Sequence, residues 1–403
     1  MDTVYFAKYI YLESGEILAN GAVSVRDGLI IDVGLRGKVR RSSDERIVNL
    51  GDVLLLPGFI NMHTHLEESP VRSFAKEPGE TFAAWSSKKY SRMRQLSADQ
   101  IGSGVRLSAR EMLSQGITTV VDSSRTGLSA PILAEEPIRS VIITEAPDEA
   151  FIEEGVGRTQ EWIEGGRAFK YGIGPHALYS LNTRGHRRLI EYSYDSGCLW
   201  ACHVAESAEE LQAFCEHGGD FFFNLTRSKP WPAGKSRLDP VRYALAENLI
   251  PSNAILFHCN YVNTYELALL AAKRAFVTLC LGYSEMMEHK SFPIEVAYSR
   301  GVQICLGTEG MIPAGHANFF DDLFRLKMAY PHIGAAELLR WVTRNPAAAL
   351  KASDRLGGIG PGKYADIIGV QFSCGAGDDI LETLLISDPE IAFVMVGGEE
   401  VII

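Results

Sequence analysis

The chain has 403 residues, of which 46% are hydrophobic and 22% are charged, with 38 glycines and 17 prolines. These proportions exclude a disordered, collagen-like or coiled-coil chain, and the length suits two or three globular domains. The formal net charge is −11. Because an acidic chain without a Lys/Arg-rich run binds nucleic acid and anionic membranes poorly, we expect neither as a partner.

The sequence predicts a cytoplasmic protein. The first residues lack the basic-then-apolar pattern of a secretory signal, and no run of about 18 apolar residues is present to span a bilayer. The seven cysteines are odd in number, and several lie in apolar strand-like runs such as 304–306. This distribution favours buried thiols in a reducing compartment over a disulfide framework.

Both ends of the chain are rich in strand-like segments. In the N-terminal part, two apolar runs flank Asp27-Gly28, which is a hairpin signal. In the C-terminal part, apolar runs precede and follow Gly397-Gly398, a second turn signal. Because the middle of the chain has a different pattern, we predict that strands from both termini assemble into one small β domain.

The middle of the chain alternates apolar strand candidates with helical segments. One predicted helix begins after Ser97, an N-cap with Gln100 three residues on, and ends before Gly116. Eight strands alternating with helices predict an α/β fold, the (β/α)8 or TIM barrel. The predicted strands are 58–63, 118–122, 140–145, 169–174, 199–204, 254–259, 275–281 and 302–307.

These patterns together predict two domains. The barrel spans residues 57–351, and a small β-sandwich domain is built from 1–56 and 352–403. Residues 221–237, which contain Pro230 and Pro232, are predicted to form a loop too long for a simple connection, as in an active-site lid.

Histidines cluster at the predicted strand ends, where the active site of a TIM barrel lies. Two of them, at the end of the first strand, are separated by one residue, and alternating side chains on a strand then face the same way. Such a pair can chelate one metal ion, although two unrelated surface histidines would give the same pattern. The five histidines at strand ends, out of ten in the chain, are His63, His65, His176, His203 and His258.

Acidic residues accompany these histidines. Glu206 follows the fifth strand and Glu309 follows the eighth. Three imidazoles and a carboxylate with an open position suit a catalytic divalent metal. Taken singly, His176 or His258 is also compatible with a hydrogen-bonded core residue, and Glu206 with a solvated acid at a helix start.

Six segments resemble, in the same order, motifs of the amidohydrolase superfamily. The resemblance is to its aminohydrolase branch, which includes chlorotriazine hydrolases, guanine deaminase and adenosine-like nucleoside deaminases. One motif alone would be weak, but the set covers nearly the whole chain. The segments are 57–66 (PGFINMHTHL), 174–177 (GPHA), 203–207 (HVAES), 306–308 (LGT), 345–350 (NPAAAL) and 360–366 (GPGKYAD).

The resemblance implies one divalent metal ion, with zinc favoured and iron as the alternative. His63, His65 and His203 would bind it, and the remaining ligand would be the acid at the end of the eighth strand, Glu309. Lys170 lies too deep in the fourth strand to act as a modified bridging ligand, so we predict one metal ion rather than two.

The resemblance also implies catalytic roles. Glu206 would be the proton shuttle, His258 would polarise or position the attacking water, and His176 would contact the substrate. Glu309 would orient the water and later receive its proton. The family further implies a homodimer.

Two positions depart from the family pattern. Glu309 stands where the family has Asp. A Glu side chain reaches roughly 1.5 Å farther than Asp. This matters because a misplacement of a catalytic group by about 1 Å can lower the rate on the order of a hundredfold. Three outcomes are open: a shifted backbone lets Glu309 work, the substrate differs, or the site is weakened. The second departure is 278–281 (TLCL) in the seventh strand, where relatives often carry His-Cys-Pro.

The predicted function is a metal-dependent hydrolytic deaminase with a small-molecule substrate. It would replace a ring amino group of a purine-nucleoside-like heteroaromatic with oxygen and release ammonia. Segments 78–85 and 291–294 resemble the aminofutalosine deaminase subgroup. Phe82 and Trp85 are candidates to stack on the ring, although residues at this helical spacing are more often core.

Two alternatives stay open at this point. Glu309 motivates the first, a non-catalytic or impaired amidohydrolase-like binding protein, although the retained histidines argue against it. The second keeps the enzyme and changes the bond, to hydrolysis of a cyclic amide or a halide.

Overall fold

The computed structural model describes residues 2–39, 45–74, 76–166, 168–227, 229–310, 318–375, 377 and 379–402. Its strands form two sheets. The strands are β1 (Thr3–Tyr11), β2 (Ile17–Arg26), β3 (Leu29–Leu35), β4 (Arg46–Asn49), β5 (Leu54–Pro57), β6 (Phe59–Thr64), β7 (Ile117–Ser124), β8 (Arg139–Ala146), β9 (Lys170–Pro175), β10 (Leu199–Val204), β11 (Ile255–His258), β12 (Phe276–Leu279), β13 (Gln303–Leu306), β14 (Ile367–Gln371), β15 (Glu390–Val396) and β16 (Glu399–Val401).

Helices connect most of the strands of the middle region. The α-helices are α1 (Phe82–Met93), α2 (Ala98–Ser114), α3 (Ser129–Leu133), α4 (Ile152–Gly165), α5 (Thr183–Ser196), α6 (Ala208–Glu216), α7 (Gly219–Thr226), α8 (Pro240–Ala246), α9 (Thr264–Ala272), α10 (Leu281–Met286), α11 (Ile294–Ser299), α12 (Phe319–Ala329), α13 (Ala335–Arg340), α14 (Arg344–Ala349) and α15 (Ile380–Ile386). Two 3-10 helices span Leu66–Val71 and Glu149–Phe151.

The eight strands β6 to β13 lie side by side in chain order, all parallel. The two edges of this sheet meet at a parallel bridge between Thr64 and Glu309, where the Glu309 N–H donates to the carbonyl of His63 (3.0 Å) and the His65 N–H donates to the carbonyl of Glu309 (2.9 Å). The predicted (β/α)8 barrel is confirmed, with all eight strands where the apolar runs indicated. Its edges therefore join at the candidate metal ligands.

Burial on both faces explains why the barrel strands are apolar throughout rather than alternating. Inward-pointing residues such as Met62, Val121 and Phe257 form the core of the barrel, and the outward-pointing ones pack under the helices. The helix predicted after Ser97 is α2, and its N-terminus has the reciprocal hydrogen bonds of Ser97 and Gln100. Local capping and burial thus agree in placing the helices between the strands.

Strands from both termini form the second sheet, in the order β16-β15-β14-β5-β1-β2-β3, with β4 also paired to β1. The hairpin between β2 and β3 turns at Asp27 (φ 49°) and Gly28 (φ 77°), and the one between β15 and β16 turns at Gly397 and Gly398. The sheet has its own apolar core. The predicted joint use of both termini is confirmed, whereas the residue boundaries of the two domains stay a prediction.

The prediction of a loop over 221–237 is wrong for its first part. Residues up to Thr226 belong to α7, in which Phe221 is buried and packs against Tyr179 with ring centroids 4.9 Å apart. The proline signals at Pro230 and Pro232 apply only to the segment after this helix. Among the described residues, no helix is long and apolar enough to cross a membrane.

Candidate active site

Three imidazoles and one carboxylate converge at the carboxyl ends of the barrel strands. The Nε2 atom of His203 lies 3.0 Å from Nε2 of His63 and 3.3 Å from Nε2 of His65. Glu309 Oε2 lies 2.7 Å from His63 Nε2, and Glu309 Oε1 lies 3.6 Å from His65 Nε2. All four side chains are buried. The structure therefore brings together the four predicted metal ligands.

The donor atoms of this cluster fit a divalent metal ion. Nitrogen ligands 2.0–2.1 Å from a tetrahedral zinc ion lie about 3.3 Å from one another, close to the separations seen here. Burial lowers the pKa of His63 to about 4, so its ring is neutral and can offer a lone pair. Glu309 Oε2 has no aligned hydrogen-bond donor among the described residues, which is what an acceptor facing a cation would show.

The hydrogen bond made by one ring nitrogen of His203 determines which of its two nitrogens can bind a metal. His203 Nδ1 lies 2.6 Å from the carbonyl oxygen of His176, so Nδ1 carries the proton and donates. Nε2 is then the lone-pair atom that faces His63 and His65. This arrangement orients a metal-binding imidazole in the way that an outer hydrogen bond usually does.

The backbone is strained around the cluster. Four residues other than glycine that follow barrel strands or end them have positive φ: Ala205 (50°), His258 (68°), Cys259 (55°) and Glu309 (65°). Left-handed backbone at such residues costs on the order of 1–3 kcal/mol each and is concentrated at functional sites. At Glu309 the carboxylate also lies within reach of the imidazoles of His63, His65 and His258.

Glu206 lies beside the cluster and is 4% exposed. The Tyr283 hydroxyl donates to Glu206 Oε1 (2.8 Å). The backbone N–H groups of Ala205 and Glu206 donate to the two carboxylate oxygens of Glu210 (3.0 and 2.8 Å). Glu206 is thus held from its side chain and from its backbone.

His258 faces the same cluster from β11. Its Nε2 lies 3.2 Å from Glu309 Oε2, and its ring stacks on that of His203 with centroids 5.3 Å apart. The side chain is fully buried, and neither ring nitrogen has a hydrogen-bond partner among the described residues. A buried imidazole of this kind is available to a ligand or water that approaches the cluster.

His176 and a carboxylate that the sequence analysis missed form a pair behind the cluster. His176 Nδ1 lies 3.2 Å from Oε2 of Glu145, the last residue but one of β8, and Arg125 Nη2 lies 3.8 Å from the same oxygen. The surrounding imidazoles hold the pKa of the Glu145 carboxyl well below its usual range despite burial. Glu145 was predictable, because it lies at a strand end like the residues that were singled out.

Phe82 and Trp85 lie on α1, on either side of the approach to the cluster. Phe82 lines a cavity of about 460 Å³ together with His176, Tyr179 and Phe221. Trp85 lines a smaller cavity, about 50 Å³, with His65, Tyr283 and Glu309, and its indole N–H donates to the carbonyl of Phe74 (3.1 Å). Both side chains are largely buried, so each is a wall of the site and also part of the core.

A buried ion pair completes the smaller cavity. Lys89 Nζ lies 2.6 Å from Glu68 Oε2, and both side chains line the cavity beside His65. Charged residues are rarely buried unless paired, and the pair ties α1 to the segment that follows β6. No motif or periodicity in the sequence marked this pair or Tyr283.

The barrel and its cluster define a class: a metal-dependent hydrolase with three histidines and one acid at the strand ends. The chain belongs to the amidohydrolase family, whose model matches residues 54–401.

Similar sequences and structures agree with this membership. The chain is 24% identical over 373 residues to a 5-methylthioadenosine/S-adenosylhomocysteine deaminase of Pelotomaculum thermopropionicum, covering 88% of this chain and 81% of that one. It is 20% identical to a 5'-deoxyadenosine deaminase of Methanothrix thermoacetophila, covering 77% and 72%.

Two solved structures share the fold. An adenosine deaminase of Xanthomonas campestris with bound zinc has a TM-score of 0.83 at 20% identity, covering 99% of this chain and 92% of that one. The aminofutalosine deaminase of Helicobacter pylori has a TM-score of 0.81 at 20% identity, covering all of both chains.

Proposed function

We propose that this protein is a metal-dependent hydrolytic deaminase that acts on an adenosine-like small molecule and releases ammonia. The observation that carries the proposal is the convergence of His63, His65, His203 and Glu309 beside Glu206. The relatives named above are deaminases of adenosine-like compounds, which supports the choice of substrate class.

His63, His65, His203 and Glu309 would hold the ion. When bound, a divalent ion supplies a Lewis acid that lowers the pKa of a coordinated water toward 7. The nitrogen-rich set and its spacing favour zinc, with iron as the alternative.

Glu206 would move the protons. It would take a proton from the attacking water and deliver it to the ring nitrogen next to the amino-bearing carbon. A second proton, from the new hydroxyl, would pass to the amino group, which leaves as ammonia. The Tyr283 hydroxyl fixes one carboxylate oxygen of Glu206, so that the other is free for these transfers.

His258 and Glu309 would orient the attacking water. Their side chains meet at 3.2 Å on one side of the cluster, and the ring nitrogens of His258 have no other hydrogen-bond partner among the described residues. His176, held by Glu145 at 3.2 Å, would contact the substrate. Phe82 and Trp85 would enclose its ring.

The position of Glu309 also bears on the alternatives. A non-catalytic binding protein was motivated by the Glu at this position, but the carboxylate reaches His63, His65 and His258. We therefore favour the enzyme. Among the described residues, no contact favours a cyclic amide or a halide over a ring amine.

The proposal is tested with two variants that separate metal binding from turnover. His203→Ala should lose metal and activity together, because one of the three imidazoles is removed. Glu206→Gln should keep the metal and lower kcat by about 10²–10⁴-fold, since Gln cannot carry the proton. Metal content per chain and ammonia release from adenosine, 5-methylthioadenosine and S-adenosylhomocysteine are the measurements. Retained activity in both variants would refute the assignment.

We further propose that the enzyme works in the cytoplasm as a homodimer. All seven cysteines are free thiols, which suits a reducing compartment. Light scattering of the metal-loaded protein gives the oligomeric state, and a monomer would contradict the second part of this proposal.

A further inference from the structure

His289 is a buried histidine to which the mechanism above gives no role. It lies three residues after α10, its side chain is 4% exposed, and its Nε2 has no hydrogen-bond partner among the described residues. Buried polar atoms in proteins nearly always have a partner, so this nitrogen needs an explanation. It faces the carboxylate of Glu206, whose Oε1 lies 3.9 Å away.

Packing alone does not account for a histidine at this position. Three aromatic rings surround it, with centroids 5.8 Å away at Phe82, 6.1 Å at Tyr283 and 6.3 Å at Tyr261. A phenylalanine would fill the same space without burying a nitrogen. Burial lowers the pKa of His289, so its ring is neutral and carries one N–H that can be donated.

His186 offers a comparison outside the site. It is also fully buried with one unpartnered ring nitrogen, Nδ1. Its Nε2, however, lies 3.0 Å from the carbonyl oxygen of Leu178, so the single proton of a neutral ring is used within the fold. At His289 the unpartnered nitrogen is the one that faces a carboxylate.

The backbone on both sides of His289 is held in place. Glu288, which precedes it, has a left-handed backbone (φ 57°), and its Oε2 lies 2.6 Å from Lys76 Nζ. The N–H of Lys290, which follows it, donates to the Tyr261 hydroxyl (3.1 Å). Contacts from two other segments thus fix the position from which the imidazole reaches toward Glu206.

We propose that His289 is a positioning residue for the deamination, which donates its Nε2–H to Glu206 Oε1 when the substrate is bound. This inference rests on the function proposed above for Glu206. The Tyr283 hydroxyl already donates to the same oxygen (2.8 Å). Hydrogen bonds of catalytic groups commonly tighten in the complex with substrate, and a shift of about 1 Å brings Nε2 within range.

Two donors on one oxygen divide the work of the carboxylate. They lower the proton affinity of Oε1, so Oε2 takes the proton from water and passes it on. They also favour the ionised form of Glu206, which the first proton transfer requires. His289 keeps its own proton throughout, so the step needs no further acid or base.

The experiment compares His289→Phe with His289→Gln in the full-length, metal-loaded protein. Phe keeps the aromatic packing but has no donor, whereas the amide of Gln can present an N–H near the place of Nε2. Because a hydrogen bond to a charged group is lost, His289→Phe should lower kcat by about 10–100-fold, with KM within about threefold of the wild-type value. His289→Gln should restore most of kcat. The measurements are ammonia release from 5-methylthioadenosine or adenosine, metal content per chain and thermal unfolding.

A double-mutant cycle shows whether His289 acts through Glu206. In a Glu206→Gln background there is no carboxylate to position, so adding His289→Phe should change the residual rate by no more than about twofold. His289→Leu, which also lacks a donor and is smaller, repeats both comparisons if the Phe variant unfolds.

Three results would overturn the inference: an unchanged kcat in His289→Phe, an equal fall in the Phe and Gln variants, or a fall in the Glu206→Gln background as large as in the wild type. The second of these would mark His289 as a packing residue. The proposed function fails separately, since full activity of Glu206→Gln contradicts it whatever the His289 variants do. An inactive Glu206→Gln beside a fully active His289→Phe contradicts only the role of His289.

Discussion

The two ends of the barrel treat buried charge in opposite ways. At the amino end, Arg139 at the start of β8 makes a two-pronged contact with Asp366 (2.7 and 2.9 Å), and the Gly397 N–H donates to the same carboxylate (2.7 Å). At the carboxyl end, Glu309 and His258 are also buried, but atoms of each lack hydrogen-bond partners among the described residues.

This difference separates charged groups that stabilise the fold from polar groups whose hydrogen-bonding capacity is left for a ligand. Arg139 and Asp366 join the barrel to the sheet of the termini, and their hydrogen-bonding groups are used within the protein. The strained, unpartnered groups at the other end lower the free energy of unfolding, and such destabilising groups are typical of functional sites. Substitutions at the two ends should therefore affect different measurements.

The largest effect on stability is expected from Asp366→Ala. It leaves the Arg139 guanidinium, which is only partly exposed, without its partner, and the loss of unfolding free energy approaches the roughly 3–5 kcal/mol that breaking a fully buried pair costs. Metal content should not change, because the pair lies at the end of the barrel remote from the cluster. Urea unfolding and metal analysis are the measurements.

The matched control is Asp52→Ala. Asp52 pairs with Lys8 at 3.6 Å, but both side chains are exposed, so the expected change is within about 1 kcal/mol. Equal losses in the two variants would show that burial of the Arg139 pair does not matter, and a loss of metal in Asp366→Ala would break the division between the two ends.

Glu309→Asp, at the carboxyl end, tests the opposite property. The backbone at position 309 already directs the longer side chain to His63 and His258, so shortening it withdraws the carboxylate from both. A displacement of about 1 Å can lower the rate on the order of a hundredfold, while unfolding free energy should change little. Higher ammonia release than in the wild type would instead mark the Glu as an impairment.

Much of the fold was readable from the sequence because its signals are local. Eight apolar runs gave eight strands, and the rule that sites lie at strand ends selected His63, His65, His203 and His258 before any contact was known. The same rule also selects Glu145, the last residue but one of β8.

The remaining parts of the site depend on packing between distant segments. Tyr283 reaches Glu206 from α10, and Lys89 reaches Glu68 from α1, and neither pairing has a local signature. The left-handed backbone at Glu309 was equally hidden, because it is imposed where the two edges of the barrel join. The sequence shows that position 309 has Glu instead of Asp, but the position of its carboxylate near His63 and His258 is seen only in the closed barrel.

A smaller effect on stability than that of Asp366→Ala is expected at Glu210, which belongs to the carboxyl end but lies beneath Glu206. Burial raises its pKa to about 8, against the effect of the two N–H groups that donate to it. An unfolded Glu ionises near 4.5, so between that value and about 8 the folded protein holds a proton that the unfolded chain has lost. The stability contributed by this group is therefore complete below about pH 4.5, falls as the pH rises to about 8, and is constant above.

Glu210→Gln removes this titration but keeps the shape of the side chain. Because an amide has one acceptor oxygen, the variant loses one of the two N–H contacts, at a cost of about 1–3 kcal/mol that is largest relative to wild type at low pH. The difference in unfolding free energy between the proteins should then shrink as the pH rises, since only the wild type loses the stability of the buried proton. Urea unfolding of both proteins across this range, at equal metal concentration, measures the difference. If the unfolding free energies of the two proteins instead change with pH in parallel, Glu210 is ionised in the folded protein. The carboxyl end would then hold a buried carboxylate that only backbone N–H groups satisfy. Asp366 at the amino end is satisfied in part in the same way.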